Sequence, residues 1–96
     1  MRIGEVIGTV TLNRAHSKLG SGALRLVVPL KLADLASDTA PGGEELVVYD
    51  DLGAGVGSRI AFSEGGEAAQ PFLPEDRPID AYNAAILDSI HLDSRI

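Results

Sequence analysis

The chain has 96 residues, of which 45% are hydrophobic and only 4% aromatic, and its 14 acidic against 8 basic residues give a formal net charge of −6. That length fits a single domain over residues 1–96 and leaves no room for separate catalytic and substrate domains, while the acidity repels a phosphodiester backbone and disfavours nucleic acid as a partner. With no cysteine, the chain can form neither a disulfide framework, nor a thiolate metal site, nor a cysteine nucleophile, which suits a reducing cytosol.

A chain this short buries only roughly 60–65% of the surface its unfolded form exposes, so its core is thin and self-association is a common remedy. The core must be built mainly from Val, Ile, Leu and Ala. From Met1 to Arg14 apolar and polar residues alternate, instead of forming the basic block and apolar block of a secretory signal. No apolar run reaches the roughly 20 residues that span a bilayer. The expectation is a soluble, cytoplasmic protein with no membrane partner.

Between Glu5 and Asn13, Val6, Gly8, Val10 and Leu12 alternate with Glu5, Thr9, Thr11 and Asn13, which predicts a half-buried strand. Arg14–Gly22 reads as a flexible connection ending in Gly20, Ser21 and Gly22. A second strand follows, with Leu24, Leu26, Val28, Leu30 and Leu32 on one face and Arg25, Val27, Pro29 and Lys31 on the other. Pro29 has no N–H for a ladder, so its position predicts an edge or a bulge. Ala33–Glu45, rich in Asp, Pro and Gly, reads as a surface loop.

Leu46–Tyr49 and Ser58–Ser63 are strand-like, with Ile60 and Phe62 sharing a face in the latter. Glu67–Gln70 has room for one helical turn before Pro71 and Pro74 stop it, and Asp76–Pro78 reads as a turn. Asp80–Leu92 fits a helix through Tyr82, Ile86 and Ile90, and a strand through Ala84, Ile86, Ile90 and Leu92; periodicity leaves both open. About five short strands and one helical turn predict a small barrel or sandwich.

No motif in the chain carries a reaction. Gly53, Gly55 and Gly57 lack the spacing of a dinucleotide fingerprint and lead into a strand, not a helix, and no Lys-Ser or Lys-Thr pair makes them a phosphate loop. They read as a tight loop whose positive-φ positions or close backbone contacts only glycine permits. His16 and His91 have no second imidazole at ligand spacing and read as solvated surface residues. Asp50-Asp51 lacks the ligand spacing of a calcium loop and reads as a turn. Ser58 only partly fits a nucleophile elbow, and no base accompanies it.

Met1-Arg2-Ile3 with Val6-Ile7-Gly8-Thr9-Val10, then Leu26-Val27-Val28-Pro29-Leu30, then Asp50 through Gly57, and finally Pro78-Ile79-Asp80-Ala81 with Ile86-Leu87-Asp88 follow one another along nearly the whole chain. In this order and at these separations they resemble the pentameric vertex proteins of bacterial microcompartments, the EutN/CcmL family known from ethanolamine-utilisation compartments and carboxysomes. The resemblance implies an all-β protein: a small five-stranded OB-like barrel with a short helical turn, assembled as a cyclic homopentamer. Such a ring fills a five-fold corner in a shell of hexameric tiles inside the cytoplasm, with no catalytic residue, metal or cofactor. It also implies that the last segment is mainly strand. By the same resemblance Asp50, Gly53, Ala54, Gly55, Val56 and Gly57 form a loop near the five-fold axis or a subunit interface.

The chain departs from the family pattern at Ser58, where an acidic residue is common, and at Ala68-Ala69-Gln70, where Gln70 replaces the arginine of a Ser-Ala-Arg turn. Its Ala33–Glu44 loop is also longer than in the shortest members. Two rival classes stand beside this expectation. An OB-like module binding a ligand or single-stranded nucleic acid would need stacking aromatics, here only Tyr49, Phe62, Phe72 and Tyr82, in a basic groove. A small enzyme or metal site has no positive sequence feature.

Overall fold

A computed structural model describes residues 1–12, 14–36 and 42–93. Its elements are β1 (Arg2–Val10), β2 (Ala23–Pro29), the single helical turn α1 (Leu32–Leu35), β3 (Leu46–Asp50), β4 (Arg59–Glu64), a 3₁₀ segment (Gly65–Phe72) and β5 (Ala81–Leu87). The five strands close into a barrel in the order β1-β2-β3-β5-β4. All neighbours are antiparallel except β3 and β5, which run parallel and share one register pair, Tyr49 with Tyr82. The barrel and its helical content are those implied by the resemblance. Among the described residues no helix is long and apolar enough to cross a membrane.

Alternation along each strand sends one set of side chains inward. Val6, Val27, Val48, Ile60, Phe62 and Ala81 fill the barrel, joined by Ala54 from the loop after β3. Phe62 is the single aromatic ring in this aliphatic core. Each fully buried Val, Ile or Phe contributes about 1.5–3 kcal/mol, so so small a set leaves little to spare. The lumen is tight enough that a Cβ on Gly4 would stand 2.5 Å from Val27 Cγ1 and 2.9 Å from the Phe62 ring.

The even-numbered face expected for β1 is divided by a bulge between Val6 and Gly8. Val6 pairs with inward Val27, whereas Gly8 and Val10 pair with Leu26 and Leu24 on the outside. One extra residue, Ile7, turns the strand over, as a bulge must. In β2 the structure selects the face that carries Val27. Val27 points inward with no exposure, while Leu24 and Leu26 lie on the outer surface and are half-buried. Period two shows which residues share a face but not which face is inside, and here both faces are largely apolar.

β2 ends at Pro29, not Leu32, and it is no edge strand, being paired with β1 on one side and β3 on the other. The proline is tolerated because the β3 ladder stops at Val27–Leu46, two residues earlier. The segment expected to be loop from Ala33 opens with α1, whose entry is held by the Lys31 N–H donating to Asp34 Oδ2 at 2.8 Å; residues 37–41 of that expected loop, like Asn13 in the first, lie outside the described residues. β4 buries Ile60 and Phe62 as expected. The helical turn after it is longer than Glu67–Gln70 and runs through Pro71 to Phe72 as a 3₁₀ segment. A turn at Leu73–Glu75 is closed by Glu75 N–H to the Phe72 carbonyl at 2.8 Å, and at the expected Asp76–Pro78 turn the chain bends about Pro78, with Ile79 N–H donating to the Arg77 carbonyl at 2.9 Å. The ambiguous last segment is strand over Ala81–Leu87, with no regular element over 88–92.

Candidate assembly surface

At one end of the barrel the inward face turns polar. Asp50 closes β3 with a fully buried carboxylate, and a buried charge is tolerated only when paired and hydrogen-bonded. Four donors meet it. Arg25 Nε on β2 reaches Oδ2 at 3.1 Å and Asn83 Nδ2 on β5 reaches Oδ1 at 2.9 Å. The backbone N–H groups of Leu52 and Ala54 donate at 3.0 and 2.8 Å, so the carboxylate also winds the following loop around itself. Burial alone would raise the pKa of Asp50, but the bonds from Asn83, Leu52, Arg25 and Ala54 together hold it below the ordinary carboxylate value.

The loop then returns to the barrel. Gly57 N–H donates to the Val6 carbonyl at 2.8 Å and Val6 N–H donates to the Ser58 carbonyl at 2.9 Å, so the loop's end is stitched to the β1 bulge. Ser58 N–H donates to the Gly55 carbonyl at 3.1 Å, closing a four-residue turn with Gly57 in its third position at φ +92°. That is the position where a type II turn demands positive φ. Gly53 is also left-handed, at φ +83°. Gly55 is not, and a Cβ there would meet nothing within 4 Å. Of the three glycines expected to be conformationally required, the fold of one chain therefore requires Gly53 and Gly57.

The structure brings Asp50, Gly53, Ala54, Gly55, Val56 and Gly57 into this one braced loop. Ala54 is anchored in the core, and Val56, at the turn's tip, is 71% exposed. Sequence reasoning missed Arg25 and Asn83, the side chains that hold Asp50. Each is a lone polar residue among apolar neighbours on a strand, and that was the available signal. Ile7 and Ile86 are further large apolar side chains left exposed.

A second cluster sits outside the barrel. Tyr49 and Phe72 meet edge to face at 5.7 Å, Phe72 and Tyr82 at 5.0 Å, and the Arg77 guanidinium lies 4.3 Å above the Phe72 ring. Tyr82 Oη donates to Asp51 Oδ1 at 3.0 Å; burial first, and then this bond, raises the tyrosine pKa. Three of the four aromatic residues thus pack on one another and the fourth, Phe62, is inside the lumen. Asp50 spends its oxygens on four protein donors, and among the described residues no three His, Cys, Asp or Glu side chains converge to hold a metal. His16 and His91 are exposed as expected.

The arrangement is thus a closed barrel bearing a braced, projecting loop and apolar side chains on its outside: the makings of a subunit that assembles. The family model described as "Ethanolamine utilisation protein EutN/carboxysome" matches residues 1–88, and the chain belongs to this EutN/CcmL family. It is 35% identical over 95 residues to the carboxysome shell vertex protein CcmL of Gloeobacter violaceus, covering 99% of this chain and 90% of that protein. It is 37% identical over 90 residues to the bacterial microcompartment shell vertex protein GrpN of Rhodospirillum rubrum, covering 94% and 96%. The solved structure of GrpN, a pentameric microcompartment shell protein, superposes with a TM-score of 0.79 at 31% identity over 97% of this chain and 100% of that one. The CcmL structure from Gloeobacter violaceus superposes with a TM-score of 0.83 at 30% identity, covering 97% and 91%.

Proposed function

We propose that this chain is a vertex subunit of a bacterial microcompartment shell, working as a homopentamer that caps five-fold corners. The observation that carries this reading is the match of nearly the whole chain, in sequence and in fold, to GrpN, a pentameric shell vertex protein. The protein is structural and turns nothing over. A sheet of six-fold tiles cannot close without five-fold units, so its work is done by symmetry and surface complementarity. Its partners are four further copies of itself and the hexameric tiles around the corner, and it resides in the shell within the cytoplasm.

Within the ring, the Asp50–Gly57 loop is a subunit contact. Its support is that Val56 projects from a turn which Asp50 and Val6 hold in place, so that little ordering entropy is lost on contact. The test is stoichiometry by native mass spectrometry: five chains of 10.0 kDa give a particle of about 50 kDa. Face-to-face decamers are compatible with this; a dominant monomer, dimer or hexamer at micromolar concentration contradicts it.

A further inference from the structure

A five-fold ring repeats one heterologous contact, so each subunit must present two different surfaces, one to each neighbour. The barrel offers two on opposite sides. The strand order β1-β2-β3-β5-β4 sets β2 and β3 across from β4, and the turn carrying Val56 leads directly into β4. On the outside of β2 and β3 runs a groove of about 320 Å³ whose lining includes Leu12, Leu19, Leu24, Val47 and Ile79. Leu12 and Val47 are 45% and 41% exposed, an apolar lining that water covers at a cost.

Resting on the pentamer reading, we infer that Val56 of each subunit seats in the β2–β3 groove of the next, joining the ring by a repeated knob-in-groove contact. The knob is apolar and fits an apolar groove. It cannot fold back, because the loop beneath it is held by Asp50 and its end is tied to Val6. Gly55 and Gly57 on either side of it present no side chain, so the turn can enter a narrow space.

The charges agree as well. Arg14 lines the groove and makes no ion pair among the described residues; the lining's one acid is Asp80. The knob loop carries exposed Asp51, whose carboxylate has lone pairs left after accepting from Tyr82. In a chain of net charge −6, a contact that sets Arg14 of one copy against Asp51 of the next opposes the general repulsion between copies.

The chain has no cysteine, so a Val47→Cys, Val56→Cys double variant reports this contact alone. Native mass spectrometry establishes the ring first, and a particle other than a pentamer overturns the ring reading itself. In a pentamer, oxidation is expected to give a covalent ladder ending at five chains on a denaturing gel, with each single variant staying monomeric. An intact ring whose paired cysteines do not couple, or a Val56→Cys single variant that couples to itself, overturns the seating. Val56→Ser needs no cysteine: it should raise the midpoint concentration of ring dissociation by about tenfold or more with an unchanged circular dichroism spectrum, while Leu32→Ser leaves it unchanged. A Val56→Ser ring as stable as wild type would mean that the groove receives something other than Val56.

Discussion

Asn83 Nδ2 donates to Asp50 Oδ1 at 2.9 Å across the seam where the barrel is least well laced. β3 and β5 share one register pair, Tyr49 with Tyr82, whereas β4 and β5 pair along six positions. The side chains supply what the ladder lacks: Asp50 with Asn83, Asp51 with Tyr82, and the Tyr49 and Tyr82 rings at 6.2 Å.

Asp50 should accordingly be the most costly polar residue to remove. Asp50→Ala leaves half-buried Arg25, buried Asn83 and two loop N–H groups without their acceptor, and is expected to destabilise by about 3–5 kcal/mol. Asn83→Ala, which leaves the ion pair and the loop bonds, should cost about 1–3 kcal/mol. Urea unfolding at fixed protomer concentration measures both; equal and small losses would show that the seam is held elsewhere.

The same carboxylate sets an acid limit. Its folded pKa lies below the ordinary value, so its contribution is fully present above the unfolded pKa and is lost as pH falls through the lowered folded one. Acid titration of unfolding should show a component in that window for wild type which is missing in Asp50→Asn. An identical acid profile in the two proteins would assign the acid sensitivity to other carboxylates.

The glycines separate by mechanism. Gly53→Ala, at φ +83°, should cost about 1–2 kcal/mol for a left-handed side chain. Gly4→Ala should cost more than Gly55→Ala, since a Cβ at Gly4 meets Val27 and Phe62 and one at Gly55 meets nothing within 4 Å. Gly55→Leu is expected to leave the folding of one chain intact and to harm the ring, where the loop meets a neighbour. Thermal unfolding and native mass spectrometry of the same samples divide the two effects, and a Gly55→Leu pentamer formed in wild-type yield would remove the loop from the contact.

Strand positions and the glycine loop were legible because they are local: alternation marks β1 and β2, β-branched-rich runs mark β3 and β4, and Gly53 and Gly57 stand where a tight turn needs positive φ. What makes the loop rigid was not. Arg25 and Asn83 reach Asp50 from 25 and 33 positions away, a distance no spacing rule spans. Alternation left the inside of β2 undecided, because Leu24 and Leu26 are as apolar as Val27, an outer surface greasy enough to imitate a core. The turn α1 was hidden in a segment of loop-forming residues, although Asp34, three residues after Lys31, is a helix-start signal. The last segment could not be resolved from periodicity, and the family resemblance supplied it.

Closure of a shell tests the vertex role most directly. Cognate hexameric tiles are co-expressed with and without this chain, in a host with no other vertex paralogue, and the products are compared by electron microscopy and by leakage of an enclosed dye or enzyme. Sealed polyhedra are expected only when the chain is present, with sheets, tubes or leaking bodies in its absence, because tile-to-tile contacts do not involve the vertex and five weak contacts at one corner act together. Equally sealed polyhedra in both samples would contradict the vertex role.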